Sequence, residues 1–141
     1  GQGAADCMKM AIDDAGIVPE TIDYINAHGT STPPNDAVET KAIKAALGEE
    51  VAYKVAISST KSMVGHMLGA AGATEAIVCL KAIEDQFAPP TMGYQVPDPE
   101  CDLEYLPNQG RSLPIQYAMS NSMGFGGHNA TVIFKQWQPE K

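Results

Sequence analysis

The chain has 141 residues, 44% of them hydrophobic, and its formal net charge is −8. This length and apolar content suit one folded domain over residues 1–141 and exclude a disordered tail. The acidic balance leaves no basic surface for a polyanion, so nucleic-acid binding is disfavoured. Charged residues interrupt the longest apolar stretches well short of the roughly 20 residues that a membrane span needs. We therefore expect neither a nucleic-acid partner nor a membrane.

The three cysteines, Cys7, Cys79 and Cys101, are odd in number and lack the spacing of a metal site. They argue against a disulfide framework, fit a reducing compartment and indicate a cytoplasmic protein without a metal. The chain starts at Gly1 with neither an initiator methionine nor a signal peptide. From this start we expect a sequence that begins inside a longer chain.

Hydrophobic periodicity and turn residues predict an alternation of helices and strands. In chain order the predicted elements are a helix at 3–15, a strand at 22–27, a helix from Thr32 to Leu47, a strand at 55–58, a polar loop at 59–66, a helix at 68–86, an irregular proline-rich connection at 89–114, and strands at 117–120 and 130–134. This order predicts an α/β layered fold with its loops gathered at strand ends. The small residues at 69–73 predict a close approach of another backbone to the third helix.

Three loops follow predicted strand ends and contain all three histidines. The first reads Asn-Ala-His-Gly-Thr-Ser-Thr-Pro, the second leads through Lys61 and His66 into a glycine- and alanine-rich helix, and the third reads Asn-Ser-Met-Gly-Phe-Gly-Gly-His. Each alone has an ordinary interpretation as a helix cap, a helix entry or a hairpin. A phosphate cradle is a further interpretation of the second loop, but its lysine precedes the glycines, the reverse of a P-loop.

Together the three loops resemble the signature loops of the β-ketoacyl-acyl-carrier-protein synthases, members of the thiolase superfamily. The resemblance runs nearly the whole length of the chain and implies the C-terminal half of a layered αβαβα thiolase-like fold. The first loop is closer to the bacterial type II fatty acid elongating enzymes than to modular polyketide synthases, which tend to carry Gly-Thr-Gly-Thr after Ala-His.

The resemblance implies an acyltransferase that joins malonyl-acyl-carrier protein to an acyl thioester with loss of carbon dioxide. Charge builds on the malonyl thioester oxygen in that step, so the site needs hydrogen-bond donors aimed at it. By resemblance these donors are His28 and His66. Lys61 is implied as a supporting catalytic cation, with Glu75 as its partner.

The resemblance assigns substrate contacts to the remaining site residues. Thr30 and Thr32 match hydroxyls that hold the phosphopantetheine arm of acyl carrier protein, so no cofactor of the enzyme itself is expected. Phe125 matches a gating aromatic whose backbone N–H completes an oxyanion hole, and Gly124 lets the loop reach the substrate. Met123 departs from the family's commoner aromatic, and His128 from its usual small hydroxyl.

The family's nucleophilic cysteine lies in the other half of its fold, and no cysteine here stands in a matching context. The resemblance therefore implies an N-terminal half as partner, a homodimer when complete, and no condensation by this chain alone. Without that half, its sheet edges should be exposed.

Three other interpretations stay open. The chain could be a catalytically idle partner subunit of the chain-length-factor type, although the set His28, His66, Lys61 and Glu75 argues against an idle site. It could be a fragment of a polyketide-type ketosynthase. A thiolase acting on coenzyme A thioesters would carry a cysteine in its C-terminal half, and the third loop has none.

Overall fold

The computed structural model describes residues 2–30, 33–93, 99–123 and 128–138. Its helices are α1 (Gln2–Ala15), α2 (Pro33–Leu47), α3 (Glu49–Lys54), α4 (Lys61–Val64) and α5 (Ala71–Asp85). Its strands are β1 (Tyr24–Asn26), β2 (Ala56–Ser58), β3 (Phe87–Ala88), β4 (Arg111–Ser112), β5 (Tyr117–Met123) and β6 (Asn129–Lys135). Short 3-10 turns at Pro19–Thr21 and Leu68–Ala70 precede β1 and α5. Within these ranges, no helix is both long enough and apolar enough to cross a membrane.

Four strands form the main sheet in the order β2-β1-β5-β6. β1 runs parallel to β2 and β5, and β6 runs antiparallel to β5. Asn26, the last residue of β1, lies opposite both Ser58 and Ser120. The parallel strands therefore point to the same end of the sheet. β1 and β2 stop at one level and β5 continues to Met123, so the loops that follow β1 and β2 start side by side.

Helices cover both faces of this sheet. Successive side chains of a strand point to opposite faces, so each parallel strand contributes to two cores. Ile25, Ile57 and Met119 pack with α1 and α2 on one face. Tyr24, Ala56 and Ala118 pack on the other face, where α5 supplies Cys79, Ala82 and Ile83. The α/β layered fold predicted from the sequence is confirmed.

The structure corrects three predicted elements. The predicted polar loop at 59–66 contains the single-turn helix α4, because Thr60 and Lys61 accept backbone hydrogen bonds from residues 63–65. Residues 49–54 form the unpredicted helix α3, whose acidic first turn and basic last turn suit the helix dipole. The predicted strand at 22–27 shortens to β1, and at its start the Ile22 N–H closes the 3-10 turn by donating to the Pro19 carbonyl.

The proline-rich connection is less irregular than predicted. β4, inside the connection predicted at 89–114, pairs antiparallel with β3, which directly precedes that connection, and Thr91 bridges to Pro107. The connection also covers the outer edge of β2, because the Ile57 N–H donates to the Glu104 carbonyl at 3.0 Å. The exposed edge predicted for an isolated chain is therefore partly covered at β2, while β6 pairs only with β5 among the described strands.

The close backbone approach predicted at residues 69–73 is wrong for the described chain. A Cβ at Gly69 would meet no atom within 4 Å, and one at Gly72 would meet only the Ser122 hydroxyl oxygen at 3.9 Å. α5 buries one face and exposes the other, on which Ile77 is 61% and Leu80 is 49% accessible. Small side chains thus leave an open surface here.

Candidate active site

A cavity of about 680 Å³ opens at the end of the sheet where the three parallel strands terminate. The first two loops and the end of β5 contribute its walls. The lining residues are His28, Thr30, Asn35, His66, Leu68, Gly69, Ala71, Gly72, Ser122 and Met123. The sequence-predicted residues His28, Thr30 and His66 are therefore brought together. Thr32, Gly124 and Phe125 lie outside the described residues.

The two histidines face each other across this cavity. Their ring centroids are 5.6 Å apart and their planes are nearly perpendicular, at 89°. His28 is buried, with 7% of its surface accessible, whereas His66 is exposed. One imidazole thus belongs to the floor of the cavity and the other to its rim.

Hydrogen bonding assigns the tautomer of His66. Its Nδ1 accepts the backbone N–H of Leu68 at 3.2 Å. A neutral imidazole that accepts at Nδ1 carries its proton on Nε2. His66 therefore presents an Nε2–H donor.

His28 is held in the neutral form. Burial, followed by the positive charge of Lys61 and the neighbouring His66, lowers the pKa of His28 to about 4. Its Nδ1 is buried and has no hydrogen-bond partner among the described residues. At neutral pH the ring can donate one hydrogen bond without carrying charge.

Lys61 and Glu75 form a buried ion pair beside the histidines. Lys61 Nζ, at the start of α4, donates to Glu75 Oε1 on α5, and the side chains are 5% and 2% accessible. Burial raises the pKa of Glu75, and the bond to Lys61 opposes that rise. Glu75 Oε2 has no partner in the described structure. The predicted pairing of these two residues is present, and neither side chain lines the cavity.

A buried polar network lies beneath the loops, and sequence reasoning did not identify it. The hydroxyls of Tyr24 and Ser58 hydrogen-bond at 2.6 Å, and Asn26 Nδ2 donates to Thr60 Oγ1 at 3.0 Å. These side chains join the ends of β1 and β2 to the residue that precedes α4. The only sequence signal for them is the polar residues at the ends of otherwise apolar strands.

Glu39 is a second residue that sequence reasoning missed. It lies on α2 with only 1% of its surface accessible, and its carboxylate accepts the backbone N–H groups of His28 at 2.7 Å and Gly29 at 2.9 Å. Burial raises the pKa of Glu39 to about 7, although these two hydrogen bonds oppose the rise. No local pattern marks a helical glutamate that reaches back eleven residues to a histidine.

The cysteines give the site no activated thiol. All three are free, and none lines the cavity. Cys79 is buried within α5, its thiol contacts the Met119 carbonyl at 3.8 Å, and burial raises its pKa to about 12. A thiol with so high a pKa forms almost no thiolate at neutral pH. Among the described residues, no group of His, Cys, Asp or Glu side chains is arranged to hold a metal ion.

Comparison with known proteins agrees with this architecture. Residues 1–95 match the family described as beta-ketoacyl synthase, C-terminal domain. The chain is 54% identical over 138 residues to 3-oxoacyl-[acyl-carrier-protein] synthase 2 of Synechocystis sp. and 54% identical over 135 residues to the protein of that name from Coxiella burnetii. These alignments cover 98% and 96% of this chain but only 33% and 32% of the relatives.

Solved structures extend the likeness to the fold. A ketosynthase of a type II polyketide system, solved with its acyl carrier protein, aligns with a TM-score of 0.92 and 46% identity over 97% of this chain and 34% of that one. A β-ketoacyl synthase from Burkholderia phymatum aligns with a TM-score of 0.89 and 38% identity over 96% of this chain and 32% of that one.

The fold is therefore that of the thiolase-like ketosynthases, as the resemblance implied. The chain belongs to the β-ketoacyl synthase family and corresponds to the C-terminal part of its members. It spans about one third of the length of the curated relatives that it matches.

Proposed function

We propose that this chain provides the decarboxylation site of a 3-oxoacyl-acyl-carrier-protein synthase that elongates fatty acids. The observation that carries this proposal is that two imidazoles line one cavity with their ring centroids 5.6 Å apart. His28 is neutral, and the Nε2–H of His66 is a hydrogen-bond donor. The family resemblance and the 54% identity to two synthases of this name support the reaction class.

The chemistry needs donors that are in place before charge develops. Loss of carbon dioxide from a malonyl thioester leaves an enolate whose negative charge lies largely on the thioester oxygen. Two neutral N–H donors stabilise that oxygen without needing to reorganise, and one such donor contributes about 10²–10³ in rate in related oxyanion sites. His28 and His66 take this role in the proposal.

The other predicted residues support binding and charge. Lys61, held by Glu75, adds a positive field behind His28, which is the second cause of the lowered pKa of that ring. Thr30 lines the cavity and, with Thr32, is proposed to hold the phosphopantetheine arm. By family resemblance, Phe125 keeps its proposed gating role, and Gly124 is proposed to let the loop reach the substrate.

The complete reaction requires a second half that carries the nucleophilic cysteine. Exposed apolar side chains are suited to contact with such a partner, and examples are Leu68 at 67%, Ile77 at 61% and Val132 at 50% accessible. Acyl carrier protein is the proposed substrate carrier, and the type II polyketide relative was solved with its own carrier protein. A homodimer and a cytoplasmic location complete the proposal.

The net negative charge of this chain bears on where acyl carrier protein docks. Carrier proteins are acidic, and this chain carries a net charge of −8. Like charges repel at a rim contact, so the basic docking surface should lie mainly on the cysteine-bearing half.

A polyketide substrate is the second candidate, favoured by the TM-score of 0.92 with a type II polyketide ketosynthase. The two candidates share the decarboxylation chemistry and differ in the chain that is extended. A saturated acyl thioester should be extended in preference to a polyketo thioester if the fatty acid assignment is correct.

Reconstitution tests the proposal. The chain should be inert alone and should form a 3-oxoacyl product from malonyl-carrier protein and an acyl thioester once completed with the cysteine-bearing half. If substitution of His28 leaves the reconstituted activity unchanged, the chain is an idle partner subunit instead.

A further inference from the structure

Three hydrogen bonds from outside the first loop hold the backbone on which His28 stands. The Glu39 carboxylate accepts the N–H groups of His28 and Gly29, at 2.7 and 2.9 Å. From the other side, Ser59 Oγ donates to the Gly29 carbonyl at 2.7 Å. The peptide groups on both sides of Gly29 are therefore fixed by two side chains.

Glu39 is placed to act on the backbone and on nothing in the cavity. Both of its oxygens are used by the two N–H groups, and its side chain does not line the cavity. Hydrogen bonds to an ionised acceptor are roughly twice as strong as neutral ones. A buried carboxylate is costly unless it is fully hydrogen-bonded. Moving the loop away from α2 would leave the ionised Glu39 without its hydrogen bonds, so these bonds hold the loop against α2.

Ser59 is held as firmly as the peptide it binds. Its N–H donates to Thr91 Oγ1 at 3.1 Å, and its carbonyl accepts the Ser62 hydroxyl at 2.7 Å. Thr91 in turn donates to the Tyr105 carbonyl at 2.7 Å. Ser59 thus connects the first loop to the second loop and to the connection that follows α5.

Close packing reinforces this link. Gly29 has φ of +43°, and a Cβ there would lie 2.5 Å from Ser59 Cβ. That distance is too short for two carbon atoms, so the Gly29 backbone can lie this close to Ser59 only because residue 29 has no side chain. The first and second loops therefore pass each other at a separation that Gly29 and Ser59 determine.

Nothing else in the described structure holds the His28 ring through its Nδ1, which is buried without a partner. The backbone that Glu39 and Ser59 hold therefore contributes, together with the packing of the buried ring, to where the imidazole lies relative to His66. A displacement of about 1 Å at a reacting group can cost about 10²-fold in rate.

We propose that Glu39 and Ser59 are positioning residues for decarboxylation, which act by holding the His28–Gly29 backbone so that the two imidazoles keep their mutual placement. The inference rests on the proposed function. Neither residue contacts the substrate cavity, so both act through His28.

The test uses Glu39→Gln and Ser59→Ala in the complete synthase, with Glu49→Gln on α3 and Ser112→Ala on β4 as matched changes at exposed positions. Decarboxylation of malonyl-carrier protein is measured together with the ¹⁵N-histidine NMR spectrum and thermal unfolding. We expect kcat to fall roughly tenfold or more in both variants with KM nearly unchanged, because positioning affects the transition state more than binding. The His28 resonances should move, and the controls should match the wild type.

The proposal is overturned if kcat is unchanged in both variants, if only KM changes, or if the His28 resonances stay in place. Ser59→Ala keeps the test open should Glu39→Gln fail to fold. If the wild type itself does not decarboxylate malonyl-carrier protein, the proposed function fails, and the histidine spectra still decide whether Glu39 and Ser59 position His28.

Discussion

Lys61 and Glu75 form a buried ion pair that joins the start of α4 to the second turn of α5. The pair lies next to the histidines, and the charge of Lys61 helps to keep His28 neutral. A buried pair of this kind is costly to break, because the remaining charge has no water to solvate it.

Replacing one partner should therefore damage both stability and activity. Glu75→Leu should lower the free energy of unfolding by about 3–5 kcal/mol, whereas the double variant Lys61→Met/Glu75→Leu should recover much of that loss without recovering decarboxylation. Thermal unfolding and carbon dioxide release measure the two effects.

The exposed pair of Lys81 and Glu84 on the same helix is the control, and its removal should change stability by less than about 1 kcal/mol. If the double variant decarboxylated at the wild-type rate, Lys61 would have no role in the chemistry.

His28 should stay neutral well below the ordinary range of histidine. Its pKa is lowered from 6.5 to about 4, chiefly by burial. A depressed pKa contributes stability that is present above pH 6.5 and is lost as the pH falls through 4. Titration of the His28 ring by NMR should show a midpoint far below 6.5; a midpoint at 6.5 would remove the neutral-donor assignment.

Glu39 should shift stability with pH in the opposite direction. Its pKa rises from 4.5 to about 7, so its contribution to stability is present below 4.5 and is lost as the pH rises through 7. The charged and titratable groups around it are Asp36 on its own helix, Lys61 on α4, His28 and Tyr105. Asp36 raises its pKa, and Lys61 lowers it.

The difference in Tm between the wild type and Glu39→Gln should therefore narrow as the pH rises from about 5 to 8. Over the same range wild-type decarboxylation should increase, since the ionised carboxylate is the form that accepts both N–H groups, and Glu39→Gln should lack this increase. Glu49→Gln, on the surface of α3, should follow the wild type in both measurements. A Tm difference that widens with pH would mean that the pKa of Glu39 is not raised.

Gly29→Ala should be more harmful than the same change at another glycine with positive φ. At Gly29 the new Cβ meets Ser59 at 2.5 Å, whereas at Gly16, with φ of +69°, it meets no atom within 4 Å. Gly16→Ala should cost roughly 1–2 kcal/mol from backbone strain alone, and Gly29→Ala should cost more and reduce decarboxylation. Adding Ser59→Gly should restore part of the stability, and equal costs at the two glycines would show that the contact is not tight.

The position of the site could be predicted from the sequence, because turn residues and hydrophobic patterns mark where the strands end. Loops that follow parallel strands gather at one end of a sheet, and the register of Asn26 with Ser58 brings the loops after β1 and β2 to one level. The pairing of Lys61 with Glu75 came from family resemblance, and the ion pair is present. The catalytic roles assigned to these residues stay predictions.

Other features were beyond the sequence for physical reasons. A helix of four residues such as α4 is too short to show a hydrophobic period. The hydrogen bond from the His28 N–H to the Glu39 carboxylate depends on how α2 packs against the loop, and such a tertiary contact has no local sequence signal. The tautomer of His66 depends on one backbone N–H at Leu68, whose φ of +49° no pattern predicts.

Release of carbon dioxide from malonyl-carrier protein by the complete synthase is the most direct test of the two-histidine site. His28→Ala and His66→Ala should each reduce the rate by about 10²-fold or more, while His66→Gln, which keeps an N–H donor, should retain more activity than His66→Ala. His66→Ala changes an exposed side chain and should unfold at nearly the wild-type temperature, whereas His28→Ala removes a buried ring, so its rate is compared at a temperature at which thermal unfolding shows the variant to be folded. Wild-type rates of release in both alanine variants would contradict the assignment.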